Sequence, residues 1–223
     1  MLRLLADVLL IAGGLVLAYP FWSAGYAQVQ QGRLDEAYRR QEASFVKASV
    51  AHPRDRAVPK EEIVRRLAIR YERGLKAGDP VGRLKIPAIG LNRLVQQGEG
   101  GQGLDPRQDI PLLRAGPVHY AATSLPGEGE PFGVAGHRTT YGAPFNRLDD
   151  LEPGDVMYVD TPYARFRYKV ARSRVVLPTD ISVLADRGYA LVLTTCTPLY
   201  SASHRLIVFA RLDSTRLADS GSR

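Results

Sequence analysis

Cysteine is almost missing from this 223-residue chain: Cys196 is the only one. No intrachain disulfide and no multi-cysteine metal site can be built from a single thiol. Such a thiol is either buried filler or a thiolate kept for chemistry. Long runs of one charge sign are absent too. The net charge is +7, but the basic residues are scattered among acids, so most of the charge is a solvated surface rather than a polyanion-binding stripe. No internal repeat is present, which excludes solenoids and propellers. No glycine-rich phosphate loop joins a strand to a helix, and no basic strand is studded with aromatics. Nucleotide-binding and RNA-binding folds of those kinds are therefore excluded.

What is there fits a globular protein, with 45% hydrophobic and 24% charged residues. Fifteen prolines and 21 glycines imply many turns and favour β structure over a helical bundle. One long apolar run stands out, Leu4 to Trp22 (LLADVLLIAGGLVLAYPFW), broken only by Asp7. As a helix its 19 residues match a hydrocarbon core of about 30 Å. Tyr19, Phe21 and Trp22 supply an interfacial aromatic end. A cleaved signal peptide is the competing reading, with small residues at Gly25-Tyr26-Ala27. The full span and aromatic flank favour a retained anchor. Charge does not set its orientation, because long C-terminal domains translocate largely regardless of charge.

Residues 1–27 are thus expected to form a short tip and the anchor, and 28–78 a polar, partly helical spacer. In the spacer, helix formers run from Leu34 to Glu42, and His52-Pro53-Arg54-Asp55 breaks the pattern. A second helix is predicted from Lys60 to Lys76, with Ile63, Leu67 and Tyr71 as its apolar stripe. Pro59 suits its start, and Gly78 with Pro80 its stop. The spacer is expected to carry the following domain away from the membrane, with packing of its second helix on that domain left open. Beyond it come short β-like runs: Val81–Ile86, Ile89–Gln96, Phe132–Gly136, Asp155–Asp160, Ala164–Leu177, Ala190–Cys196 and Arg205–Leu212. These predict a barrel or sandwich, followed by a frayed polar tail.

Cys196 ends one of these runs. A cysteine nucleophile needs a neighbour that lowers its pKa or handles the leaving group's proton. His52 lies in the spacer. His119 sits in the irregular loop Gly116-Pro117-Val118-His119-Tyr120, where a structural role is favoured. His204 precedes Arg205, and strand alternation lets only one of the two face Cys196. His137 is the strongest candidate, because it follows Phe132-Gly133-Val134-Ala135-Gly136 at a strand end. Arg205 stays protonated and cannot supply a proton, but it can stabilise an oxyanion. Read in isolation, it is equally a barrel-rim salt-bridge residue.

Taken together, these residues carry a resemblance. Leu193-Thr194-Thr195-Cys196-Thr197-Pro198, with Arg205 nine residues after the cysteine, resembles the TLxTC…R signature of sortases, Val192 standing for the usual leading threonine. Gly136-His137-Arg138 lies about as far upstream as the family's catalytic histidine. The segments from Gly116 to Glu128 and from Ala135 to Phe145 are similar to class E sortases of actinobacteria. The resemblance covers roughly Val81 to Leu212. It implies a mainly β fold, an eight-stranded sortase-like barrel with short helices over 79–213, preceded by the anchor and spacer and followed by a flexible tail at 214–223.

It also implies a membrane-anchored cysteine transpeptidase. Cys196 would attack the threonyl carbonyl of an LAxTG- or LPxTG-type sorting signal, His137 would move protons, and Arg205 would hold substrate and oxyanion. Thr195 and Thr194 would help bind substrate. Class E preference for LAxTG is associated with a tyrosine near the histidine. Tyr120 and Tyr141 both fit, and the sequence does not choose between them. The acceptor would be an amine of a cell-wall precursor or a pilin. No cofactor, metal or nucleic acid is implied. The reaction places the N-terminus in the cytoplasm and the barrel outside. One rival is another cysteine acyl-transfer enzyme, such as an L,D-transpeptidase, expected to carry a histidine and small residues before the cysteine. A second is a non-catalytic surface β-barrel that binds a wall polymer or protein.

Overall fold

The computed structural model describes residues 1–48, 58–99 and 110–218. Eight strands close into one barrel: β1 (Pro80–Ile86), β2 (Leu91–Gln97), β3 (Val118–His119), β4 (Phe132–Ala135), β5 (Val156–Asp160), β6 (Ala164–Val176), β7 (Leu191–Thr197) and β8 (His204–Leu217). Around the barrel the order is β1-β2-β3-β4-β7-β8-β6-β5. Pairing is antiparallel except between β2 and β3 and between β4 and β7.

Strand alternation splits the apolar residues between two layers. Leu193 and Val208 of β7 and β8 join Phe132, Val134 and Phe166 inside the barrel. Val192, Ile207 and Phe209 point the other way, into an outer layer with Val118, Tyr120, Ala135 and Val183. The barrel is thus buried on both faces along β7, which explains why Leu191-Val192-Leu193 is a continuous apolar run.

The irregular loop expected at Gly116–Tyr120 holds β3 instead. Two residues are too short to show alternation, yet they close the barrel between β2 and β4. The tail expected from 214 is still strand: Ser214, Thr215, Arg216 and Leu217 pair with Arg167, Phe166, Arg165 and Ala164. The run expected from Ile89 begins at Leu91, because Pro87–Ile89 forms a 3-10 turn ending at Gly90, whose φ is +69°.

Two long helices precede the barrel. α1 (Leu2–Ala48) is continuous from the apolar run far into the expected spacer. It does not lead away from the barrel but lies along it. Gln31 accepts from the Leu94 amide and donates to the Leu94 and Ala115 carbonyls, Asp35 pairs with Arg83, and Tyr38 donates to the Asp160 carbonyl. α2 (Lys60–Glu72) buries Val64, Ala68 and Tyr71, with Leu67 only partly buried against the core. The expected stripe is therefore rotated by one residue: Ala68 permits the close approach, and Tyr71 belongs to both stripes. Each large apolar side chain buried this way contributes about 1.5–3 kcal/mol, so α2 is part of the barrel's core. His52 and the predicted break at Pro53 lie outside the described residues.

Candidate active site

Cys196 and Arg205 are direct cross-strand partners at one end of the β7–β8 pair. Opposed residues share a face. Alternation from Val192 and Ile207 places both on the outer face of the barrel. The parallel pairing of β4 with β7 sets Ala135 beside Thr194, and the Gly136 amide continues the ladder by donating to the Thr194 carbonyl at 3.1 Å. His137 therefore follows at the level of Cys196, on the same outer face as Ala135. Gly136 is required there: a Cβ would stand 2.6 Å from the Phe145 ring, which is fully buried.

The imidazole of His137 is half-buried, and its Nε2 is buried with no hydrogen-bond partner among the described residues. Burial, and after it the charge of Arg114, holds His137 below the ordinary histidine pKa. The neutral ring, able to accept a proton, is thereby favoured at neutral pH. Tyr141 lies against it with ring centroids 5.5 Å apart. Arg205 is only 7% exposed. Its Nη1 donates to the Ala202 and His204 carbonyls at 3.0 and 3.1 Å, which seats the guanidinium under the β7–β8 loop.

The other predicted residues separate. Thr194 and Tyr120 are buried on the outer face below Cys196, joined hydroxyl to hydroxyl at 2.7 Å. Thr195 points into the barrel and donates to the Gly136 carbonyl at 2.8 Å, tying the strand ends that carry His137 and Cys196. In this structure both threonine hydroxyls are engaged within the protein. Tyr141 is the tyrosine at the surface of the site, held at a left-handed φ of 51°. His204 is exposed, with its Nδ1 3.0 Å from Ser203 Oγ. His119 is fully buried, with its ring nitrogens 2.9 Å from Gln97 Oε1 and 3.0 Å from Thr123 Oγ1.

Two arginines escaped the sequence reading. Arg138, quoted in the motif but given no role, is 6% exposed. Its Nη1 donates to Thr197 Oγ1 at 2.8 Å and to the Cys196 carbonyl at 3.4 Å, and its Nη2 pairs with Asp149 at 2.6 Å. A buried guanidinium next to the histidine thus holds the nucleophile's backbone. Its adjacency to His137 was the only signal in the sequence. Arg114, 23 residues before His137, gave none; its guanidinium stands 5.8 Å from the Tyr141 ring centroid. Among the described residues no group of three His, Cys, Asp or Glu side chains could hold a metal ion.

A cysteine facing an arginine across an antiparallel pair, with a histidine brought alongside by a parallel strand, has the groups that cysteine acyl transfer requires. Residues 84–213, more than half of the chain, match the sortase domain. The chain belongs to the sortase family, a family of cysteine transpeptidases. It is 36% identical over 118 residues to sortase SrtE1 of Streptomyces coelicolor, covering 46% of this chain and 34% of that protein. To sortase SrtE2 of the same organism it is 29% identical over 163 residues, covering 65% and 59%. The matched segments thus span about a third and three-fifths of those relatives' own lengths. The crystal structure of Sortase E1 from Streptomyces coelicolor with a tripeptide in the active site superposes with a TM-score of 0.55 at 30% identity, covering 66% of this chain and 95% of that one. Among sortases the chain is most similar to class E.

Proposed function

We propose that this protein is a membrane-anchored sortase that cleaves an LAxTG- or LPxTG-type sorting signal between threonine and glycine. It then passes the acyl group to an amine of a cell-wall precursor or a pilin. The observation that carries this reading is the convergence of Cys196, Arg205 and His137 on one face at one barrel end. In the first half-reaction the Cys196 thiol gives its proton to the neutral His137 as the sulfur bonds to the threonyl carbonyl carbon. The carbon–nitrogen bond breaks, and the glycine amine leaves with that proton from His137. In the second, the incoming amine bonds to that carbon, His137 takes its proton, and the departing Cys196 sulfur takes the proton back. Arg205 stabilises the oxyanion in both, a contribution of roughly 3–4 kcal/mol per donor in comparable sites.

The α1 segment Leu4–Trp22 is read as the span, with the N-terminus in the cytoplasm and the barrel outside. The test uses the full chain in lipid nanodiscs with a fluorogenic LAxTG peptide and an amine acceptor. Turnover should vanish in Cys196→Ala and fall about 10²–10³-fold in Arg205→Ala. It should be lost in His137→Ala and persist in His204→Ala. Undiminished cleavage by Cys196→Ala would overturn the mechanism, and absence of cleavage of any sorting peptide would favour a binding barrel.

A further inference from the structure

We propose that the active-site end of the barrel rests on the surface of the membrane that α1 spans. The β7–β8 loop (Leu199, Tyr200) and the exit of β6 (Leu177, Ile181) are the lipid-facing contacts. The proposal rests on the reading of Leu4–Trp22 as a membrane span.

The direction of α1 along the barrel fixes which end faces the lipid. Tyr19 and Tyr26 pack edge-on against Tyr141 beside the histidine, with ring centroids 6.5 and 6.2 Å away, and Tyr19 Oη lies 3.3 Å from Tyr141 Oη. Gln31 grips β2 midway. Phe45 then packs edge-on against Tyr71 and Tyr163, at the end where Ala164 pairs with Leu217. From Tyr19 to Phe45 the helix climbs about 40 Å at 1.5 Å per residue, passing from the active-site end to the far end. The residues before Tyr19 therefore project beyond the active-site end and nowhere else.

No spacer intervenes. Residues 3–22 are all exposed, and Ser23 is 1% exposed. The interfacial aromatics thus give way within one residue to helix packed on the protein. A barrel seated so closely must meet the headgroups with the end that carries His137 and Cys196.

The surface there has the matching chemistry. After α1, six large hydrophobic side chains are exposed among the described residues: Val175, Leu177, Ile181, Leu199, Tyr200 and Leu212. All but Leu212 cluster at this end. Val176 pairs with Arg205, so Leu177 emerges just beyond it. A turn from the Leu177 carbonyl to the Asp180 amide sets Ile181 nearby. Leu199 and Tyr200 lie in the loop between Thr197 and His204, which pair. Tyr200 is 91% exposed although its φ of +64° is costly for a non-glycine residue. Scattered exposed leucines carry no meaning, but aliphatic and aromatic tips gathered at one level beside a span are an interfacial surface. Substrates would then reach Cys196 as chains held at the membrane surface.

Trp22 is the sole tryptophan, so Trp22→Phe makes the full chain tryptophan-free. Into it Tyr200→Trp, Leu199→Trp or, at the far end, Arg216→Trp is placed. Each protein is reconstituted in phosphatidylcholine–phosphatidylglycerol vesicles whose acyl chains are brominated just below the headgroups. Tyr200→Trp and Leu199→Trp should be blue-shifted and lose most of their emission to the bromolipid, while Arg216→Trp keeps its emission. If both loop probes are as unquenched as Arg216→Trp while native Trp22 is quenched, the proposal is overturned and the span stands. If native Trp22 is itself unquenched, the span reading falls and takes the proposal with it. Peptide cleavage in the same vesicles reports separately on the transpeptidase reading.

Discussion

Arg138 shows what a single buried cation does for this site. Its guanidinium reaches Asp149, Thr197 and the Cys196 carbonyl at once. A lysine is a point charge that cannot hold three partners in a plane. Hydrogen bonds to charged groups are worth about 1.5–3 kcal/mol each. Arg138→Lys should therefore lower kcat about 10–100-fold with little change in KM, as steady-state kinetics on the sorting peptide would read. A lowered Tm with kcat intact would mark Arg138 as scaffold alone. Arg114 acts through charge instead. It holds the His137 pKa down, so Arg114→Met should raise it and move the His137 limb of the kcat/KM–pH profile to higher pH. A profile with unmoved limbs would show the charge to be screened. The candidacy of Cys196, His137 and Arg205 was legible in the sequence because each sits in a short motif. Arg138 and Arg114 were not, because their value comes from partners far along the chain.

At the scale of elements, one amide ties α1 to the backbone of β2. Gln31 presents its carboxamide to Leu94 much as a neighbouring strand would, and adds the Ala115 carbonyl. Gly116 makes room, since a Cβ there would stand 2.2 Å from Gln31 Nε2. Gln31→Ala should leave the barrel folded while the Leu94 amide exchanges faster by hydrogen–deuterium exchange. Unchanged exchange at Leu94 would mean that the other contacts, Asp35 with Arg83 and Tyr38 with Asp160 among them, dock the helix without it. The seven longer strands were readable as short β-like runs between turn residues. β3 was not, because a two-residue strand has no period. The stripe of α2 was misplaced by one residue because packing decided which of two overlapping apolar faces was buried. Nothing local could mark α1 as docked, since its grip depends on partners in β1, β2 and β5.

For the molecule as a whole, His119 couples pH to stability. Burial pushes its pKa down from 6.5 to about 4, so the folded state favours the neutral ring while the unfolded chain binds a proton near pH 6.5. Its contribution is complete above pH 6.5 and is lost as pH falls toward 4, about 3 kcal/mol in all. Tm of the full chain in detergent should drop over that window, and His119→Gln should flatten the drop. An equal slope in that variant would place the acid sensitivity elsewhere.

By itself the sequence determined the family and most of the strand content and offered Cys196, His137 and Arg205 as candidates, because motif spacing and short β-like runs bounded by turns are local properties. The tertiary structure alone decided which face and which barrel end they share. It also buried Tyr120 and left Tyr141 at the surface, and it laid α1 along the barrel with Tyr19 and Tyr26 beside Tyr141. Those outcomes rest on contacts between residues dozens of positions apart, such as Gln31 with Leu94 and Tyr19 with Tyr141. Such contacts are set by strand register and close packing, which no window of sequence contains.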